Sequence, residues 1–231
     1  MLPSRRILAV VAAIAVVAAA IVTGAVLAGG SGGSDGDTSD GVSDAGRTVQ
    51  PGAPGEESRE LSDDEAAAIE APEHTPADVI FVQDMILHHS QALEMAALVD
   101  ERTERTDLPL LAERITVSQE AEIEQLEQWL TDRDEDVPDD SARGDHAEHT
   151  GMPGMASPQD LDRLAQARGD AFDRLFLELM ITHHAGAITM VDELYATGGG
   201  LEPAADGLAR EIGADQAIEI GRMQELQQSL A

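Results

Sequence analysis

The fold is decided by residues 81–99, FVQDMILHHSQALEMAALV, and by their echo at 176–194, FLELMITHHAGAITMVDEL. Met85 matches Met180, His88 matches His183, His89 matches His184, Ala92 matches Ala187 and Met95 matches Met190, each pair 95 residues apart. At about 100° per residue, Phe81, Met85, His88, His89, Ala92, Met95, Ala96 and Val99 share one helical face, with Ser90, Glu94 and Ala97 opposite. Phe176, Met180, His183, His184, Ala187, Met190, Val191 and Leu194 repeat that face. Both histidine pairs therefore point inward on helices.

Each of these helices precedes another that is also repeated. Thr75-Pro76 opens the first, predicted to reach about residue 101. Asp107-Leu108-Pro109 opens the second, predicted to end near 130, with Leu111, Ile115, Gln119, Ile123, Leu126 and Leu130 inward. The third is predicted over 170–197 and ends at Gly198-Gly199-Gly200. In the fourth, from 203 to about 230, Ile212, Gln216, Ile220 and Met223 answer Ile115, Gln119, Ile123 and Leu126. A short helix capped by Ser157-Pro158 precedes the third and is expected to stop at Gly169. No strand pattern competes. A hairpin with one apolar stripe buries it against a second hairpin, so the expected fold is all-α, a four-helix bundle made of two repeated helical hairpins.

Upstream of the bundle, Arg5 and Arg6 precede an apolar run at 7–28, broken only by Thr23 and Gly24. That is an export signal, long enough to span a bilayer and ending in Val26-Leu27-Ala28, a small-residue cleavage site, so residues 1–28 read as signal peptide or signal anchor. Either fate places the body outside the cytoplasm, secreted or anchored by residues 7–28, and gives the chain no other contact with membrane. Residues 29–61 are Gly-, Ser-, Asp- and Pro-rich and read as a disordered linker. The helical domain is expected over 62–231, beginning with a capping box at Ser62-Asp63-Asp64-Glu65.

Composition removes several function classes. With no Cys there is no disulfide, thiolate zinc, iron–sulfur cluster or thiol nucleophile. A formal net charge of −31, with 14 basic residues, argues against nucleic acid, whose phosphates need clustered cations. The aromatic residues, Phe81, Trp129, Phe172, Phe176 and Tyr195, are too few for a stacking platform. No Gly-rich phosphate loop, nucleophile elbow, His-Glu-x-x-His motif or Ser/His/Asp arrangement is present, so no catalytic residue is assigned.

The histidines and methionines remain. A methionine on a core face ordinarily fills space, and a buried histidine is ordinarily a hydrogen-bonded structural residue. Here, paired histidines sit mid-face twice at matched positions, which costs free energy unless each ring nitrogen finds a partner. Methionines stand three residues before and seven after the first His in both copies. This makes Met85, His88, His89, Met95, Met180, His183, His184 and Met190 the candidate metal ligands. Thioether sulfur suits Cu(I) and serves zinc, iron, magnesium or calcium poorly, so the metal expected is copper, as Cu(I). Gln119 and Gln216, polar on core faces, are candidates to orient the imidazoles. His146, His149, Met152 and Met155 form a second candidate site in the connecting loop. Whether the two His-His pairs share one metal or bind two is left to the packing.

The alternatives are a di-iron oxidase and a metal-free structural or interaction bundle. Di-iron bundles carry Glu-x-x-His, yet the residues three before the seven histidines are Ala71, Met85, Ile86, Arg143, His146, Met180 and Ile181.

Phe-x3-Met-x2-His-His-x2-Ala-x2-Met followed by Ile-x3-Gln-x2-Glu-Ile resembles the DUF305 family of bacterial exported proteins. Ile115, Gln119, Glu122 and Ile123 carry the second element in copy one; Ile212, Gln216, Glu219 and Ile220 carry it in copy two. The resemblance spans about residues 75–228. It implies a ferritin-like four-helix bundle, and similarity to copper-binding members such as the CopM proteins implies extracytoplasmic copper binding and resistance, with the eight ligands above. The chain departs from the family pattern at Leu126, where Met is common and where copy two keeps Met223. Together these readings point to a non-enzymatic protein that sequesters or transfers copper outside the membrane.

Overall fold

The computed structural model describes residues 49–50, 57–62, 64–65, 70–139 and 151–230. The expected signal or anchor at 1–28, most of the 29–61 linker, residues 66–69 after the Ser62 capping box, and His146 and His149 lie outside the described residues.

The chain divides into two units, Met1–Glu70 and Ala71–Ala231. In the first, β1 (Val49–Gln50) pairs antiparallel with β2 (Arg59–Glu60), Val49 opposite Glu60 and Gln50 opposite Arg59. This short ladder falls within the stretch expected to be a structureless linker. The capping pattern at Ser62 is present: the Glu65 carboxylate accepts from the Ser62 backbone N–H and hydroxyl, both at 3.0 Å, and Glu65 N–H donates to Ser62 Oγ. Arg59 Nη1 donates to the same carboxylate at 2.8 Å.

The second unit is all-α: α1 (Pro76–Ala97), α2 (Asp107–Thr131), α3 (Pro158–Gln166), α4 (Asp170–Ala196) and α5 (Pro203–Gln228). Thr75 and Asp78 form a reciprocal capping box at the start of α1, with Pro76 supplying a pre-set φ at the first position. Gly198 (φ 89°) and Gly200 (φ 71°) turn the chain after α4 in the left-handed region that glycine tolerates. Hairpin α1–α2 packs against hairpin α4–α5 through α1 on α4 and α2 on α5, giving the expected four-helix arrangement, and α3 rides on α4.

The apolar core is in two halves. One holds Phe81, Met85, Leu126, Trp129, Met190 and Ile212; the other holds Met95, Leu108, Ile115, Phe176, Met180 and Met223. Between them every long helix contributes buried polar side chains: His88, His89 and Gln91 from α1, Gln119 and Glu122 from α2, His183 and His184 from α4, Gln216 and Glu219 from α5. A polar belt therefore crosses the middle of the bundle. Its cost must be met by hydrogen bonds or ligands, because a buried donor or acceptor without a partner loses about 1–3 kcal/mol.

Candidate metal centre

His88, His89, His183 and His184 are all 0 % exposed. Because α1 and α4 cross at matched positions, the His88 and His183 rings lie face to face, centroids 3.7 Å apart and planes inclined by 32°. His89 and His184 stand off to the side of that pair, 6.4 and 6.2 Å from their sequence neighbours.

The outer pair is held by carboxylates. His89 Nε2 and Glu122 Oε2 share a hydrogen bond of 2.5 Å, and His184 Nε2 and Glu219 Oε2 one of 2.7 Å. Each bond joins the two helices of one hairpin, so the repeat in sequence becomes a repeat in space. Such a contact fixes ring orientation and leaves Nδ1 as the free nitrogen. Burial, and next the Glu219 charge, pushes the Glu122 carboxyl up to about 8. Burial also pulls the imidazoles down: His88 to about 3, helped by His89; His89 to about 3, helped by His184; and His183 well below its usual value, helped by His88. These three rings are neutral at neutral pH, the protonation state in which imidazole binds metal.

A strap at 151–156 covers the inner pair. Pro153 O lies 3.0 Å from His88 Nε2. Gln91, wholly buried, reads the backbone at the strap's end twice: its Nε2 donates to Ala156 O at 3.1 Å and its Oε1 accepts from Ala156 N–H at 2.7 Å. The other helix makes room for the strap: a Cβ on Gly186 would sit 2.1 Å from Pro153 O, and one on Gly154 would sit 2.7 Å from Thr182 O.

The remaining ring nitrogens, His88 Nδ1, His89 Nδ1, both nitrogens of His183 and His184 Nδ1, are buried with no hydrogen-bond partner. Orphaned buried imidazole nitrogens fit a bound metal, since coordination would satisfy them where the protein does not. Among the described residues no three His, Asp or Glu side chains converge to hold a metal on their own.

The candidate methionines are buried and sorted by end. Met85 and Met190 share one apolar half; Met95 and Met180 share the other. Antiparallel crossing thus puts the methionine preceding one His pair in the same half of the core as the one following the other pair. Gln119 and Gln216 are buried as expected, but their amide atoms have no partner, and the contacts that orient imidazole come from Glu122 and Glu219, three residues later. The signal for these carboxylates was the repeated Gln-x-x-Glu, a charge on a core face in both copies. Gln91 and Gly186, which occupy equivalent repeat positions, were signalled by their mismatch. Of the loop candidates, Met152 packs against the first apolar half and Met155 is partly buried. Leu126 and Met223, equivalent in the repeat, fall in opposite halves of the core.

The family model described as "Domain of unknown function (DUF305)" matches residues 78–227. A DUF305 fragment from Deinococcus radiodurans has a similar crystal structure: 34% identity, TM-score 0.61, covering 68% of this chain and 99% of that one. A presumed secreted DUF305 protein from Streptomyces coelicolor is 29% identical, with TM-score 0.57 and coverage of 67% and 93%. CopM in its Cu(II)-bound form is 32% identical, with TM-score 0.55 and coverage of 67% and 97%; its Cu(I)-bound form is 31% identical, with TM-score 0.52 and coverage of 66% and 96%. No curated protein matches the sequence.

Proposed function

The chain belongs to the DUF305 family, and from its buried belt of partnerless imidazole nitrogens we propose an extracytoplasmic copper-binding protein that sequesters or transfers the metal. His88, His89, His183 and His184 are the nitrogen ligands in this reading, and Met85, Met95, Met180 and Met190 supply sulfur from the two flanking halves of the core. Glu122 and Glu219 hold His89 and His184 with Nδ1 free. Thioether and imidazole together favour Cu(I), and CopM, whose structures hold Cu(I) and Cu(II), supports copper as the metal. Met152 and Met155, with His146 and His149 upstream, make the connecting loop a second capture site. Export rests on the basic start and apolar run at 1–28, and the presumed secreted neighbour is in keeping with it.

The observation that carries the reading is the His88–His183 pair, wholly buried, with three of its ring nitrogens unsatisfied. Titrating the chain with Cu(I) against a competing chelator tests it. Replacing all four histidines by Asn should abolish tight binding while the far-ultraviolet dichroism stays helical; unchanged stoichiometry in that variant would sink the assignment.

A second reading is a di-iron oxidase, favoured by two buried carboxylates each beside a histidine. It requires iron in the purified protein and oxidation of added Fe(II), both lost in Glu122→Gln/Glu219→Gln.

A further inference from the structure

A groove of about 420 Å³ runs between α1 and α4 and is closed on one side by the strap. Phe81 and Asp84 of α1, Met190 and Glu193 of α4, and Met152 and Pro153 of the strap line it. Two features set it apart from an ordinary surface cleft. It carries two thioethers from separate segments, Met152 and Met190, beside two carboxylates. It also shares a wall with the buried histidines, because Pro153, which lines the groove, places its carbonyl on His88 Nε2. Asp84 stands one helical turn before His88 on the same helix.

The strap is latched in place by groups that do nothing else in the belt. Gln91 spends both ends of its amide on Ala156, and Gly186 and Gly154 permit backbone-to-backbone approach that any side chain would prevent. The repeat makes the asymmetry plain: Gln91 and Gly186 are equivalent positions, and each has the residue its side of the strap requires. With the strap down, the His88–His183 pair is wholly buried, so a metal ion reaches it only when something moves.

We propose that this groove is the port through which a soft monovalent cation reaches the His88–His183 pair, with Met152 and Met190 as its first thioether contacts and the 151–156 strap as its gate. The proposal rests on the copper-binding reading above and adds a route and a moving part to it. The carboxylates of Asp84 and Glu193 draw a hydrated cation to the groove, the neutral sulfurs select a soft one as it sheds water, and lifting the strap frees His88 Nε2 at the inner end.

The test uses the full-length chain and Ag(I), a redox-silent soft cation, delivered from a chromophoric chelator in a stopped-flow instrument. Hydrogen exchange at the Ala156 amide, measured without metal, reports the strap directly. Gln91→Ala removes both latch bonds and Gly186→Ala pushes the strap off α4. Gln91→Ala should speed Ala156 exchange and Ag(I) uptake by about ten-fold, the weight of two neutral hydrogen bonds; Gly186→Ala should shift both in the same direction, and each variant should speed release alongside uptake. Met152→Leu, which keeps the apolar volume and removes the sulfur, should slow uptake by about three-fold. Faster Ala156 exchange with unchanged uptake overturns the gate, as does Gln91→Ala leaving Ala156 exchange at the wild-type rate. Uptake unaffected in Met152→Leu overturns its role as a landing ligand. A wild-type chain that takes up no Ag(I) overturns the copper reading and the port with it, whereas uptake insensitive to these variants overturns the port alone.

Discussion

Glu122 and the imidazoles pull the stability of the metal-free protein in opposite directions with pH. Between about 6.5 and 3 the unfolded chain binds protons at His88 and His89 that the folded protein refuses, and His183, held well below its usual value by burial, acts in the same direction, so stability falls as the solution is acidified. Between about 4.5 and 8 the folded protein keeps the Glu122 proton that the unfolded chain has lost, so stability falls as pH rises. Three imidazoles outweigh one carboxyl below 6.5, and above it Glu122 acts without them. The melting temperature of the metal-free protein should therefore peak near pH 6.5, and Glu122→Gln should flatten the decline between 6.5 and 8. A wild-type melting temperature that climbs steadily across that window would contradict this account. At this scale the sequence was partly legible. That His88, His89, His183 and His184 turn inward followed from helical periodicity. Which partner each ring takes did not, because Gln119 and Glu122 lie on neighbouring positions of one face and only the helix rotation decides between them.

Asp78 shows how one side chain fastens an element to a distant one. Its carboxylate accepts from the Thr75 backbone N–H at 2.7 Å and the Thr75 hydroxyl at 2.8 Å, closing the cap of α1, and from Gly200 N–H at 2.6 Å, in the turn after α4. Losing a capping residue costs about 1 kcal/mol and a hydrogen bond to a charged group about 1.5–3 kcal/mol, so Asp78→Ala should lower stability by about 3 kcal/mol in urea unfolding. A change below about 0.5 kcal/mol, the range of a neutral surface substitution, would show that the clamp contributes little. Helix ends were legible only where local chemistry sets them. Thr75, Ser157 and Gly198 mark theirs as the sequence suggested, yet α1 stops at Ala97, short of the expected 101. The reason is tertiary: the following turn is drawn onto the end of α3 and the segment after it, with Gly169 N–H donating to Arg102 O at 2.7 Å and Arg102 Nε donating to Ala165 O at 3.0 Å. Gly169, expected to end α3, instead precedes α4 with φ 55°.

For the whole molecule, the division at residue 70 and the separate core of Ala71–Ala231 imply a domain that folds without what precedes it. A chain starting at residue 71 should show a single cooperative transition and the full helical dichroism per residue expected for α1–α5. Non-cooperative melting of that fragment would mean that the upstream unit contributes to the core. The sequence by itself determined the helices, their inward faces, the two-hairpin repeat and the family, because periodicity and spacing are properties of a single strand of residues. It also exposed the histidines as costly, since no local partner stood near enough to satisfy them. Tertiary structure alone decided which groups meet: antiparallel crossing stacked His88 on His183, placed Met85 with Met190 in one half of the core and Met95 with Met180 in the other, and laid a strap over the inner pair. These placements bring together residues as far as 105 positions apart, and they depend on the angle and rotation at which helices pack, which no one helix specifies.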